Sequence, residues 1–139
     1  MSGNHKKPHE SQVSFGRIID LGEGLYEIIT WPNIEITAGH IEEIMDFLST
    51  HSSVKQPGIL INRKNSYYYS FSAMQKFGTL NWIKAIAVLA ENRKSYIRSK
   101  TVVESFTSIT PQEDKLRIFR KRDEALKWLR ERTNSFTSS

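Results

Sequence analysis

Apolar and polar positions in this chain switch between two periodicities, and the switches mark out its elements. From Arg17 the run RIIDLGEGLYEIITW holds two β-rich stretches around Gly22-Glu23-Gly24. The glycines there tolerate the positive φ of a tight turn, so the segment reads as a hairpin. Pro32 and Asn33 close its second strand, because proline has no N–H to give a ladder. Ile41, Ile44, Met45 and Leu48 then recur at i, i+3, i+4 and i+7, with Glu42, Glu43 and Asp46 on the opposite side. Behind Thr37 as N-cap, this spacing predicts an amphipathic helix ending between Ser49 and Ser53. The continuous apolar run Gly58 to Asn62 suits a strand covered on both faces, and Ala85 to Ala90 is a second such strand.

Between those runs, Ser72 and Gln75 have capping-box spacing and open a helix that Gly78 stops. Asn92 begins a long basic helix with Tyr96, Ser99, Val103 and Phe106 on one stripe, followed by a loop from Thr107 to Gln112. Lys115 to Arg120 alternates polar and apolar, as an edge strand with one wet face does. Asp123 caps a last helix that turns Ala125, Leu126, Trp128 and Leu129 inward, with Trp128 expected against the sheet near Ile118 and Ile86.

The order is ββαβαβαβα. Strands separated by helices imply right-handed parallel crossovers, so the expected class is α/β: a mixed, mostly parallel five-stranded sheet opened by an antiparallel hairpin, with helices packed on its faces. Residues 1–14 are polar and aperiodic and read as a flexible arm, 15–133 as a single domain, and 134–139 as a flexible tail. A length of 139 residues suits one core.

Composition narrows the class further. With 38% hydrophobic and 25% charged residues the chain is neither disordered nor a membrane span. It has no Cys, which excludes thiolate catalysis and Cys-ligated metals. No apolar run approaches the ~20 residues a bilayer needs, and the first residues are too polar for a signal peptide, so the expected location is the cytoplasm. The net charge of +5 is uneven: residues 1–91 hold 8 Lys/Arg against 9 Asp/Glu, and residues 92–139 hold 12 against 6. Arg93, Lys94, Arg98 and Lys100 are the candidates for nucleic-acid contact, yet no helix-turn-helix or RNA-binding signature accompanies them, so the excess reads as a solvated basic face.

The succession of elements from Phe15 to Arg132 resembles the STAS domain (sulphate transporter and anti-sigma-factor antagonist), most closely its stage II sporulation protein AA-like branch. The tail carries the likeness best: Ile118-Phe119-Arg120, then Asp123-Glu124-Ala125-Leu126-Lys127-Trp128-Leu129, a short strand running into a helix with an Ala-Leu-x-Trp-Leu core. The resemblance implies a non-catalytic regulatory module working through protein contacts, with a phosphorylatable serine at the N-terminus of the helix after the third strand. The matching stretch runs from Asn62 to Ser72, where the family's acidic strand end and Asp-Ser-Ser-Gly-like turn are replaced by Asn62, Arg63 and a tyrosine run. Ser70 and Ser72 are the positions that can inherit the role.

A phosphate at a helix N-terminus is stabilised by free N–H groups and the helix dipole. Arg63, Lys64 and Lys76 lie close enough in sequence to add charge-assisted contacts, while Ser72 is more economically explained as a helix cap. Tyr67, Tyr68 and Tyr69 cannot all face one core, so at least one ring is wet and available to a protein partner. No catalytic set stands out. His5 and His9 sit in the arm, and His40 and His51 flank one helix without ligand or nucleophile spacing, so neither enzyme chemistry, a metal nor a cofactor is expected. The alternative is a carrier of a small apolar ligand or lipid, since the sporulation AA-like branch is structurally related to lipid-binding domains; Phe77, Trp82 and Phe106 are the residues that would line its pocket. An exposed edge strand also offers a weak homodimer contact.

Overall fold

The computed structural model describes residues 9–52, 54–79, 82–109 and 115–133, with backbone alone at 9 and 106–109. Residues 1–8 of the arm with His5, the Phe106 side chain, positions 110–112 of the expected loop and the tail 134–139 lie outside the described residues.

Among the described residues eight strands and four helices follow in the order β1 (His9–Val13), β2 (Gly16–Gly22), β3 (Leu25–Thr30), β4 (Glu35–Ile36), α1 (Ala38–His51), β5 (Gly58–Asn62), β6 (Tyr68–Tyr69), α2 (Phe71–Gly78), β7 (Ala85–Leu89), α3 (Arg93–Ile109), β8 (Leu116–Phe119) and α4 (Arg122–Thr133). Six of the strands form one sheet in the order β1-β2-β3-β5-β7-β8, and β4 and β6 form a two-stranded parallel ladder of their own. β1 and β2 are antiparallel to their neighbours, and the remaining pairings are parallel. The class and the antiparallel hairpin are as the sequence predicts, while the sheet has six strands rather than five.

The extra strand falls in the stretch read as an arm. HESQV offers no apolar alternation, yet its backbone pairs with β2 from His9↔Asp20 to Val13↔Gly16. An edge strand needs only main-chain bonds on one side, so side-chain pattern carries little of its signal. The β2–β3 turn is made by three successive positive φ values, Gly22 at 88°, Glu23 at 59° and Gly24 at 78°.

The two faces of the sheet are covered differently. On one, Ile18, Tyr26, Ile28, Ile59, Ile61 and Ile86 meet α1 and α2 through Ile41, Ile44, Leu48, Ala73 and Phe77. On the other, Leu25, Leu60, Ala85, Ala87 and Leu89 meet α4 through Ala125, Trp128 and Leu129. The alanines of β7 let α4 lie close, and the Trp128 ring fills the space beside Phe119, 5.5 Å between centroids. Trp128 is thus buried as expected, but not against Ile86 and Ile118. Ile86 belongs to the opposite face, and Ile118 pairs with Val88 one residue out of step with Phe119. A one-residue offset along a strand exchanges faces.

Two helix starts also differ from expectation. Ser70, not Ser72, is the N-cap of α2, its Oγ accepting from Ala73 N at 3.0 Å. α4 begins at Arg122, and Asp123 Oδ1 accepts from the adjacent Glu124 N rather than from a residue further along the first turn. Thr37 caps α1 as predicted, and Asn92 Oδ1 accepts from Ser95 N at the start of α3. α3 runs on to Ile109, through the first part of the expected loop.

Candidate functional site

The chain leaves β5 at Asn62 and enters a loop that three neighbours hold. Arg63 N donates to Leu89 O (2.9 Å) and Lys64 N to Asn62 Oδ1 (3.1 Å), which turn the backbone off the sheet. From α3, Ser95 Oγ donates to Arg63 O (2.7 Å) and Arg98 to Ser66 Oγ (2.9 Å). From the β3 end, Asn65 Nδ2 donates to Thr30 O (2.9 Å), and Asn33 N donates to Ser66 O (2.7 Å). The loop then pairs β6 with β4 before Ser70 turns it into α2.

This anchoring sorts the three tyrosines. Tyr67 is buried, Tyr69 is half-buried and Tyr68 is 61% exposed. The Tyr67 and Tyr69 rings meet edge to face at 5.5 Å, and their hydroxyls are 3.1 Å apart. The Arg63 guanidinium sits 4.4 Å from the Tyr67 centroid and 5.5 Å from that of Tyr69, within cation–π range, and its Nη2 donates to Tyr67 O at 2.8 Å. Burial pushes the Tyr69 hydroxyl well above its ordinary pKa, Tyr67 adds to the effect and Arg63 opposes it, so Tyr69 stays protonated.

The five residues expected to form an anion site are therefore only partly gathered. Ser70 Oγ and Ser72 Oγ are 3.1 Å apart at the start of α2, and the exposed Lys64 lies in the preceding loop. Arg63 is 4% exposed and lines a partly open cavity, and Lys76 pairs with Glu42 of α1 at 3.4 Å. Ser70 is occupied as a cap, whereas Ser72 is exposed. Phe71, between them, is 59% exposed, so the start of α2 carries Tyr68 and Phe71 as the two most exposed large apolar side chains among the described residues.

Of the residues considered for an apolar pocket, Phe77 lines the cavity, and Trp82 packs at the edge of the α1–α2 core. His40 and His51 serve α1: Thr37 N donates to His40 Nδ1 (3.1 Å), and His51 Nδ1 lies 2.9 Å from Phe47 O. Among the described residues no three His, Asp or Glu side chains gather as a metal site, and no helix is long and apolar enough to cross a membrane.

A buried polar group escaped the sequence reading. Glu27, alone in the apolar run LYEIIT, is buried on the α4 face, where it accepts from Asn62 Nδ2 (2.7 Å) and from both terminal nitrogens of Arg122. The signal was present, since a lone carboxylate inside an otherwise apolar strand implies a partner.

No protein-family model matches the chain, and neither does any curated protein sequence. Among solved structures it is similar to an uncharacterised protein of the DUF3478 family from Shewanella loihica PV-4, described as having a SpoIIAA-like fold. The identity is 14% over 88% of this chain and 92% of that one, with a TM-score of 0.46.

Proposed function

We propose that this chain is a non-catalytic regulatory module that engages another protein through the Tyr68–Phe71 rim at the start of α2, with Ser72 as the point at which modification tunes the contact. The observation that carries this reading is the exposure of Tyr68 and Phe71 on a loop that α3, β3 and the ladder of β4 and β6 hold in place. Exposed aromatics on a pre-ordered backbone lose little conformational freedom on binding, which favours them as interface anchors. Ser72 lies in the first turn of α2, where an added phosphate meets the helix dipole favourably and places negative charge beside both rings. Ser70 is the poorer acceptor because its hydroxyl already caps the helix.

The test is site-specific photo-crosslinking in cell extract, with a benzophenone side chain at position 68 and, as control, at exposed position 131 on α4. The expected result is a discrete adduct at 68, missing at 131 and much reduced by Phe71→Ser or Ser72→Asp. Identical adduct patterns at the two positions would refute the proposal.

A further inference from the structure

Basic side chains from three segments are gathered at one end of the sheet. β5, β7 and β8 run parallel, so the segments after them leave at the same end: Lys64 after β5, Arg93 and Lys94 after β7, Arg120 and Lys121 after β8. Two contacts draw the flanking segments onto α3. Arg98 donates to Ser66 Oγ at 2.9 Å, and the Arg120 guanidinium lies 5.2 Å from the Tyr96 centroid. Lys64, Arg93, Lys94, Arg98 and Lys100 are all exposed, and among the described residues no carboxylate forms an ion pair with any of them.

One large apolar side chain stands in this field. Ile97 is 55% exposed. It lies two residues from Ser95 and two from Ser99, both buried, so at ~100° per residue it occupies the crest of α3, away from the core. Its neighbours on the helix surface are Arg93 and Lys94 one turn before and Lys100 and Thr101 one turn after, so three cations ring it. Glu91 and Glu104 stand beyond the two ends of this ring.

The cations alone would suit any polyanion, and the isoleucine selects among them. An anionic bilayer presents charged headgroups in a plane with hydrocarbon just below. A side chain at a helix crest can enter that plane while the longer Lys and Arg side chains around it stay at headgroup level. Nucleic acid offers phosphates and bases that stack on aromatic rings, and an isoleucine matches neither.

We infer that the outward face of α3 docks this protein on an anionic lipid surface, with Ile97 entering the interface and Arg93, Lys94 and Lys100 holding the headgroups around it. Lys64 and Arg98 extend the basic surface on one side, and Arg120 and Lys121 on the other. Tyr68 and Phe71 have no part in this contact, so the inference stands apart from the partner surface.

The experiment is flotation of the full chain with vesicles of phosphatidylcholine alone or with about one-third phosphatidylserine, at about 0.1 M and about 1 M salt. The expected result at the lower salt is partition at least about tenfold stronger with phosphatidylserine present, and its loss at the higher salt. Lys94→Glu/Lys100→Glu weakens partition by more than about 25-fold, at about fivefold for each cation. Ile97→Ser, with every charge intact, weakens it at least about threefold. Tyr68→Ala/Phe71→Ala partitions as wild type. These side chains are exposed, and circular dichroism is unchanged in all three variants. The inference is overturned by equal or absent partition with the two vesicles, by partition that survives Lys94→Glu/Lys100→Glu or Ile97→Ser undiminished, or by loss in Tyr68→Ala/Phe71→Ala alone. It is equally overturned by a uridine oligonucleotide that binds more tightly than the vesicles and is released by Lys94→Glu/Lys100→Glu but not by Ile97→Ser, which would assign the face to nucleic acid.

Discussion

Glu27 on β3 and Arg122 at the start of α4 stand 95 positions apart in the chain and meet as a two-pronged ion pair, with Arg122 Nη1 2.9 Å from Glu27 Oε2. Asn62 supplies a third donor to the same carboxylate, so β3, β5 and α4 are tied at one point. Burial opposes ionisation of Glu27, but the hydrogen bonds from Arg122 and Asn62 outweigh it and hold the carboxyl below its ordinary value of 4.5.

The sign of the pH dependence follows. A carboxyl with a depressed folded pKa adds stability that is complete above about pH 4.5 and lost as pH falls through the lower folded value. In Arg122→Met the burial effect prevails, and Glu27 takes up its proton at higher pH. Because the Arg122 side chain is 41% exposed, solvent offsets part of the loss, and the variant is less stable by about 2 kcal/mol at pH 7. Urea melts at pH 7 and pH 3.5 check this: the gap to wild type narrows at the lower pH, and a gap that widens there contradicts the assignment.

The two serines at the start of α2 separate by role. Ser70→Ala removes the cap and costs about 1 kcal/mol, whereas Ser72→Ala, at an exposed hydroxyl bonded to that of Ser70, costs under about 0.5 kcal/mol. Thermal melts of both variants distinguish them, and a larger loss from Ser72→Ala would return the cap to that residue.

Trp128→Ala removes the ring that α4 presses between Phe119 and the alanines of β7, and costs about 3–5 kcal/mol. Against a total of ~5–15 kcal/mol for a domain of this kind, that leaves a substantial unfolded fraction at 37 °C. Tyr68→Ala, at a wet ring, changes stability by under about 1 kcal/mol. Denaturant melts that show equal, small losses would mean α4 is not docked on the sheet.

Ser99→Ala removes a buried hydroxyl that has no hydrogen-bond partner among the described residues, and is neutral or stabilising by up to about 1 kcal/mol. A loss of more than about 1 kcal/mol in the same melts would show that the hydroxyl is satisfied within the folded chain.

Much of the fold was legible because period and burial speak together. The runs at β5 and β7 are apolar on both faces, and Ile41, Ile44 and Leu48 mark α1 by spacing alone. β1 was illegible because its order comes from main-chain pairing with β2, to which the side chains of Glu10, Ser11 and Gln12 add no apolar pattern. The face of Trp128 was missed because composition does not fix strand register, and a single step moves Ile86 and Ile118 to the far side. For the candidate site, the tyrosine alternation could be anticipated from period two. The inward turn of Arg63 could not, because it depends on bonds to Leu89 and Ser95, which are remote in sequence.

The central claim is that the Tyr68–Phe71 rim recognises a partner without taking part in the core. The most direct measurement is the affinity of the crosslinked partner for wild type and for the Tyr68→Ala/Phe71→Ala double variant, with stability followed in parallel. The account predicts at least about tenfold weaker binding, or ~1.4 kcal/mol, with folding stability changed by no more than about 1 kcal/mol. Undiminished affinity in a folded double variant would contradict it.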